Sequence, residues 1–157
     1  MPNASDKGGK MENGEKYAAL KLENQICFPL YAASREIIKK YRPFLDGIGL
    51  TYTQYIAMMV LWEEKSINVK SLGEKLFLDS GTLSPVIKSL EEKGLVFKTR
   101  DKSDERTVTV SLTENGEKLK DKAAEIPHKM AKCVSMEESD ALQLYTLLYK
   151  LLGTVKE

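Results

Sequence analysis

The chain has 157 residues, long enough for one domain with a real core. Hydrophobic residues make up 42% and charged residues 30%, a globular balance that excludes an intrinsically disordered chain. The formal net charge is +1, so a nucleic-acid partner would have to be met by positive charge concentrated on one face.

No apolar run reaches the roughly 18 residues of a membrane span. The opening stretch, MPNASDKGGKMENGEK, has no apolar signal core, and a cytoplasmic location is expected. Cys27 and Cys133 do not make a disulfide scaffold, and with a single histidine, His128, they do not make a structural zinc site. No metal or cofactor is expected. From the residues alone, the thiols read as two buried side chains, with a redox pair as the alternative.

Residues 1–16 read as a mobile tail and 17–157 as a single domain. A first helix runs to about Leu45, with Cys27, Leu30, Tyr31, Ser34 and Ile38 at helical spacing. Asn24 is a candidate cap, Pro29 suits a helix start, and Pro43 with Asp46-Gly47 should end the helix. A second helix spans about 53–64, carrying Ile56, Met59, Val60 and Trp62. An apolar link through Ile67 leads to a short third helix marked by Val69, Leu72 and Leu76.

Residues 78–81 read as a turn. A fourth helix follows over 82–93, with Leu83, Val86, Ile87 and Leu90 on one stripe and Gly94 as its left-handed cap. The period then changes to two. Residues 95–100 and 107–112 are strands, joined by the charged tip DKSDER. Thr113 should cap a fifth helix carrying Leu119, Ala123, Ile126 and Met130, bent at Pro127. Ser135-Met136-Glu137-Glu138 reads as a capping box for a last helix with Leu142, Tyr145, Leu148, Tyr149 and Leu152. Its wide apolar face, with that of the first helix, suggests a dimer interface; packing within one subunit is the simpler alternative.

The order helix, turn, helix, β-ribbon, then two further helices is that of a mainly α winged helix-turn-helix. Residues 53–112 are the DNA-binding part, and 17–46 and 113–157 the dimerisation helices. The fourth helix suits a major groove. Thr82, Ser84 and Ser89 offer short polar groups and Lys88 a cation. At the ribbon tip, Arg100, Lys102 and Arg106 are placed to reach phosphates or a narrow minor groove, with Asp104 holding Arg106.

The chain resembles the MarR family of winged-helix regulators, and within it the organic-hydroperoxide-resistance repressors. The stretches that carry the resemblance are LENQICF (22–28), LYAASREI (30–37), LTYTQYIAMMVLWE (50–63), LDSGTLSPVIKSLEEKGLV (78–96), DERTVTVSLTENG (104–116) and AAEIP (123–127). The resemblance implies a homodimer on a pseudo-palindromic operator, with Arg106 in the minor groove. It implies an oxidant sensor at Cys27, whose thiolate accepts hydrogen bonds from Tyr41 and Tyr52 across the subunit interface, with Tyr31 nearby. Some members of the branch pair the sensor with a small thiol. Others use a second cysteine, matched here by Cys133, in an intersubunit disulfide. Pro29 departs from the pattern, which has a larger apolar residue there.

A thiolate attacks a peroxide to give a sulfenic acid. A helix start favours the anion, and Phe28, Leu30 and Phe44 suit a greasy organic hydroperoxide. Three other readings remain open at this point: a regulator released by a small aromatic ligand, a thiol peroxidase, and a dimerisation module without DNA. The expectation is a regulator and not an enzyme.

Overall fold

The structure is a computed structural model that describes residues 17–100 and 107–155. The chain divides into two units, Met1–Lys39 and Lys40–Glu157. In the first, two short 3-10 turns, Ala18–Leu20 and Leu22–Asn24, precede helix α1 (Cys27–Asp46), which continues into the second unit. Asn24 does not cap α1. Its amide Nδ2 donates to Ala18 O at 2.8 Å, which closes the preceding turns on each other.

Helix α1 ends at Asp46, where the Pro43 and Asp46-Gly47 signals put its end, with Pro43 inside its last turn. A proline this close to a helix end removes only one backbone bond, and the apolar side chains around it keep the last turn wound. The chain leaves α1 through Gly49, at φ 70, and Leu50 N donates back to Leu45 O at 3.0 Å.

Helix α2 (Tyr52–Glu64) starts where Thr51 and Gln54 form a capping box, a T-x-x-Q signal present in the sequence. Tyr55, Ala57, Met58, Leu61 and Trp62 are buried, whereas Met59 is 47% exposed. The apolar residues of α2 run almost all round it, so their pattern does not identify the inner face. The segment at Ile67 is a strand, β1 (Ser66–Asn68), which pairs antiparallel with β3 (Val108–Leu112). Three residues carry no period-two signal, and only the distant partner reveals the strand. Asn68 caps α3 (Val69–Leu76) by accepting from Ser71 N.

Helix α4 (Ser80–Glu92) begins two residues before its expected start, because the Asp79 carboxylate captures the Thr82 amide at 2.9 Å. Leu83, Ile87 and Leu90 are buried as the stripe requires. Gly94, at φ 67, caps the helix, and Leu95 N donates to Leu90 O at 3.0 Å. Strand β2 (Val96–Arg100) then pairs with β3, giving the sheet order β1-β3-β2.

Thr113 caps α5 (Glu114–Ala123), accepting from Gly116 N and donating to Gly94 O at 2.7 Å. Pro127 falls in the first turn of α6 (Ile126–Cys133), after a two-residue break. The last helix, α7 (Glu138–Thr154), starts from Glu137 with no side-chain cap bond. The capping box read at 135–138 is absent, since Ser135 lies two residues upstream of the observed cap. The architecture is the mainly helical winged helix-turn-helix read from the sequence.

Gly116 binds the wing base to the helices. Its carbonyl accepts from Trp62 Nε1 at 2.8 Å, and a Cβ at this position would lie 2.1 Å from Leu95 O. That neighbour is backbone and cannot swing aside. Gly116→Ala is therefore expected to lower unfolding free energy by about 2–3 kcal/mol, read as a lower urea midpoint with an unchanged slope.

Candidate functional site

Helix α4 presents a polar face because its inner stripe is fixed. Thr82, Ser84, Pro85 and Lys88 are exposed, while Leu83, Ile87 and Leu90 are buried. Two of the hydroxyl groups already donate: Thr82 Oγ1 to Asp79 Oδ2 at 2.9 Å, and Ser84 Oγ to Ser80 O at 2.6 Å. The Thr82 amide and hydroxyl hold the Asp79 carboxyl below its usual range. Lys88 Nζ lies 3.8 Å from Glu92 in an exposed i,i+4 pair.

Ser89 is placed differently from the other three. It is half-buried and its hydroxyl accepts from Gln54 Nε2 at 3.0 Å, so it faces α2 rather than the open side of α4. The sequence reading of Ser89 as part of the outer face is one helical position out. On a 100° step it borders the buried stripe.

The wing is tied to α4 at its base. Lys98 Nζ pairs with Glu91 Oε2 at 2.8 Å, and Lys98 N donates to Glu91 Oε1 at 3.2 Å. These contacts hold the Glu91 carboxyl below its usual range, the Lys98 ammonium first. Arg100 is exposed at the end of β2, opposite Val108. Lys102, Asp104 and Arg106 lie outside the described residues. Between α3, α4 and the wing lies an open groove of about 1350 Å³, lined by Gly73, Phe77, Leu83, Ile87, Lys98 and Arg100 among others. The clip at Glu91 and the lining residue Phe77, at a left-handed φ of 55, escaped sequence reasoning. Both depend on backbone geometry that side-chain patterning does not encode.

Cys27 is the first residue of α1 and Cys133 the last of α6; both are exposed free thiols. Tyr31 stands one turn after Cys27 in the same unit. Its hydroxyl accepts from Arg35 Nη1 at 3.0 Å, and the guanidinium carbon lies 5.4 Å from its ring centre. In the second unit Tyr41 and Tyr52 come together, their ring centres 5.0 Å apart. Tyr55 continues the stack, 6.0 Å from Tyr41 and 6.3 Å from Trp62. Burial raises the pKa of Tyr41, Tyr52 and Tyr55. All three are therefore hydrogen-bond donors at neutral and mildly alkaline pH.

Among the described residues, no group of three His, Cys, Asp or Glu side chains is placed to hold a metal ion. No helix among them is long and apolar enough to cross a membrane.

Comparison with known proteins places the chain in a family. The family description "Transcriptional regulator SarA/Rot" matches residues 39–123. The "Organic hydroperoxide resistance transcriptional regulator" of Bacillus subtilis (strain 168) is 48% identical over 147 residues, which cover 94% of this chain and 99% of that protein. AbfR, from Staphylococcus epidermidis, is similar in structure. Its reduced form bound to DNA is 33% identical, covers 90% of this chain and 96% of its own, and has a TM-score of 0.76. Its disulfide-formed state is 31% identical, covers 92% and 97%, and has a TM-score of 0.57. The chain therefore belongs to the MarR-type winged helix-turn-helix transcriptional regulators of the SarA/Rot description, in the branch of the organic hydroperoxide resistance regulators.

Proposed function

We propose that the protein is a homodimeric, DNA-binding repressor that releases its operator when an organic hydroperoxide oxidises Cys27. The observation that carries the reading is an exposed, free Cys27 at the first position of a helix, in a chain 48% identical to an organic hydroperoxide resistance regulator. A helix start has unpaired backbone N–H groups that favour a nearby anion. Across the subunit interface, the protonated hydroxyls of Tyr41 and Tyr52 are suitable donors to that sulfur, with Tyr31 beside it along α1.

The chemistry balances without a cofactor. The Cys27 thiolate attacks the outer peroxide oxygen, the O–O bond breaks, and the alkoxide leaves as the alcohol after taking a proton. The sulfenic acid is then attacked by the thiol of Cys133 from the partner subunit, forming a disulfide and releasing water. Reaction removes the thiolate that the tyrosines stabilise, and the two reading helices lose their match to the half-site spacing.

Exposed apolar side chains support the dimer. Helix α7 has no buried residue, and Leu142, Tyr145, Leu147 and Tyr149 are each more than half exposed. In the first unit Leu20, Leu22, Ile26 and Phe28 are exposed as well. The residues 17–46 and 113–157 serve as the dimerisation helices in this reading, and 53–112 as the DNA-binding part.

On DNA, Thr82 and Ser84 meet base edges or phosphates, Lys88 a phosphate, and Arg100, Lys102 and Arg106 the groove beside the wing, with Asp104 orienting Arg106. The regulator is not an enzyme, since each oxidised thiol ends one switching event. Its place is the cytoplasm, where operator DNA is.

Two measurements test this reading. A DNA duplex is first selected by the reduced protein from a random-sequence pool. The protein is then treated with a slight excess of cumene hydroperoxide and run on a non-reducing gel beside Cys27→Ser and Cys133→Ser. A covalent dimer needing both cysteines, with loss of duplex binding needing Cys27, is expected. A response that survives Cys27→Ser would overturn the sensor and favour a small aromatic ligand, with the groove beside α4 as its place. Separately, Lys88→Ala and Arg100→Ala are each expected to reduce the salt slope of duplex affinity by about 2, one phosphate contact per subunit of the dimer.

A further inference from the structure

Gln54 is the one buried polar side chain among the described residues, 6% exposed in the first turn of α2. Both polar atoms of its carboxamide are engaged. Oε1 accepts from Thr51 N at 3.0 Å and from Lys93 Nζ at 2.8 Å, and Nε2 donates to Ser89 Oγ at 3.0 Å. Lys93 Nζ donates a second bond, to Gly49 O at 2.5 Å. One amide thus joins the α1–α2 loop, the start of α2 and the last turn of α4. The same turn of α2 carries Tyr52, whose ring packs on Tyr41.

We infer that Gln54 is a positioning residue that locks the reading helix α4 to the tyrosine-bearing start of α2, so that a displacement at Tyr52 is carried to the DNA-facing side chains. The inference rests on the DNA-release reading above. A buried amide cannot drop a partner without leaving a polar group unpaired in an apolar setting. A small shift of the α2 start is therefore cheaper as a joint movement of α2 and α4 than as a rupture of this cluster. Ser89, through its hydroxyl, and Lys93, through its ammonium, are the handles on α4. Their use in this cluster also accounts for the polar residue next to the buried stripe.

The test is a double-mutant cycle on affinity of the reduced protein for the selected duplex, with urea stability measured on the same samples. Tyr52→Ala is expected to cost about tenfold in affinity in the otherwise natural chain. In a Ser89→Ala or Gln54→Met background it should cost less than about twofold more, because the link is already cut. Gln54→Glu should restore the tenfold effect, since a carboxylate accepts from Thr51 N, Lys93 and the Ser89 hydroxyl. Affinity effects that simply add, while stability falls, would overturn the inference and leave Gln54 as a packing residue. Cumene hydroperoxide separates the two claims. A coupled cycle without oxidant-driven release would sink the sensor and keep the positioning role. An additive cycle with normal release would do the reverse.

Discussion

The burial of one stripe on α4 is the constraint on which the rest of the site depends. Leu83, Ile87 and Leu90 are almost fully inaccessible, and each such side chain contributes about 2 kcal/mol when removed from water. With that face pinned, a helix leaves no freedom about what looks outward: Thr82, Ser84, Pro85 and Lys88 follow from the 100° step. The wing inherits its position from the same helix. Gly94 turns the chain in a conformation that other residues rarely adopt, and Glu91 then grips Lys98, two residues beyond the buried Val96. Helix α4 and the base of the wing are therefore held as one piece.

What the sequence made legible were features written in adjacent residues. The α4 stripe, the Gly94 cap and the Thr113 cap each depend on side chains within a turn of each other. What it hid were features completed by distant chain. Strand β1 exists because Ile67 pairs with Val110, and three residues cannot announce that on their own. Local signals also misled where their energy is small. The Ser135–Glu138 spacing imitates a capping box without making its bonds. The Thr51–Gln54 spacing has the same form and does make them, and the difference lies in what Gln54 touches on α4.

The sensing chemistry was legible in another way. No periodicity marks Cys27 as reactive, and by composition it reads as a core residue. Only the resemblance of LENQICF and LYAASRE to peroxide-sensing regulators singled it out. The structure places the thiol exposed at a helix start, where the apolar reading predicted burial. The tyrosines that the resemblance assigns to it form a stack with Tyr55 and Trp62, so they are packed as part of the core that carries Gly116 and the wing base. Under the proposed function, the groups that would answer to the sulfur are thereby continuous with the scaffold that carries α4.

The near-neutral charge now has a mechanical meaning. A strongly basic protein holds DNA through a diffuse field that a small rearrangement barely changes. Here much of the surface cation content is tied to neighbouring carboxylates, as in Lys65 with Glu117, Lys118 with Glu114 and Lys129 with Glu125. In the proposed function, affinity must then come from a few well-placed contacts on α4 and the wing, and these depend on the distance between two copies of α4. Such binding is sensitive to ångström-scale displacement, because a misplaced helix loses several contacts at once and no background attraction replaces them. A low net charge is thus the electrostatic condition under which, in the proposed function, one oxidised sulfur per subunit would suffice to release the DNA.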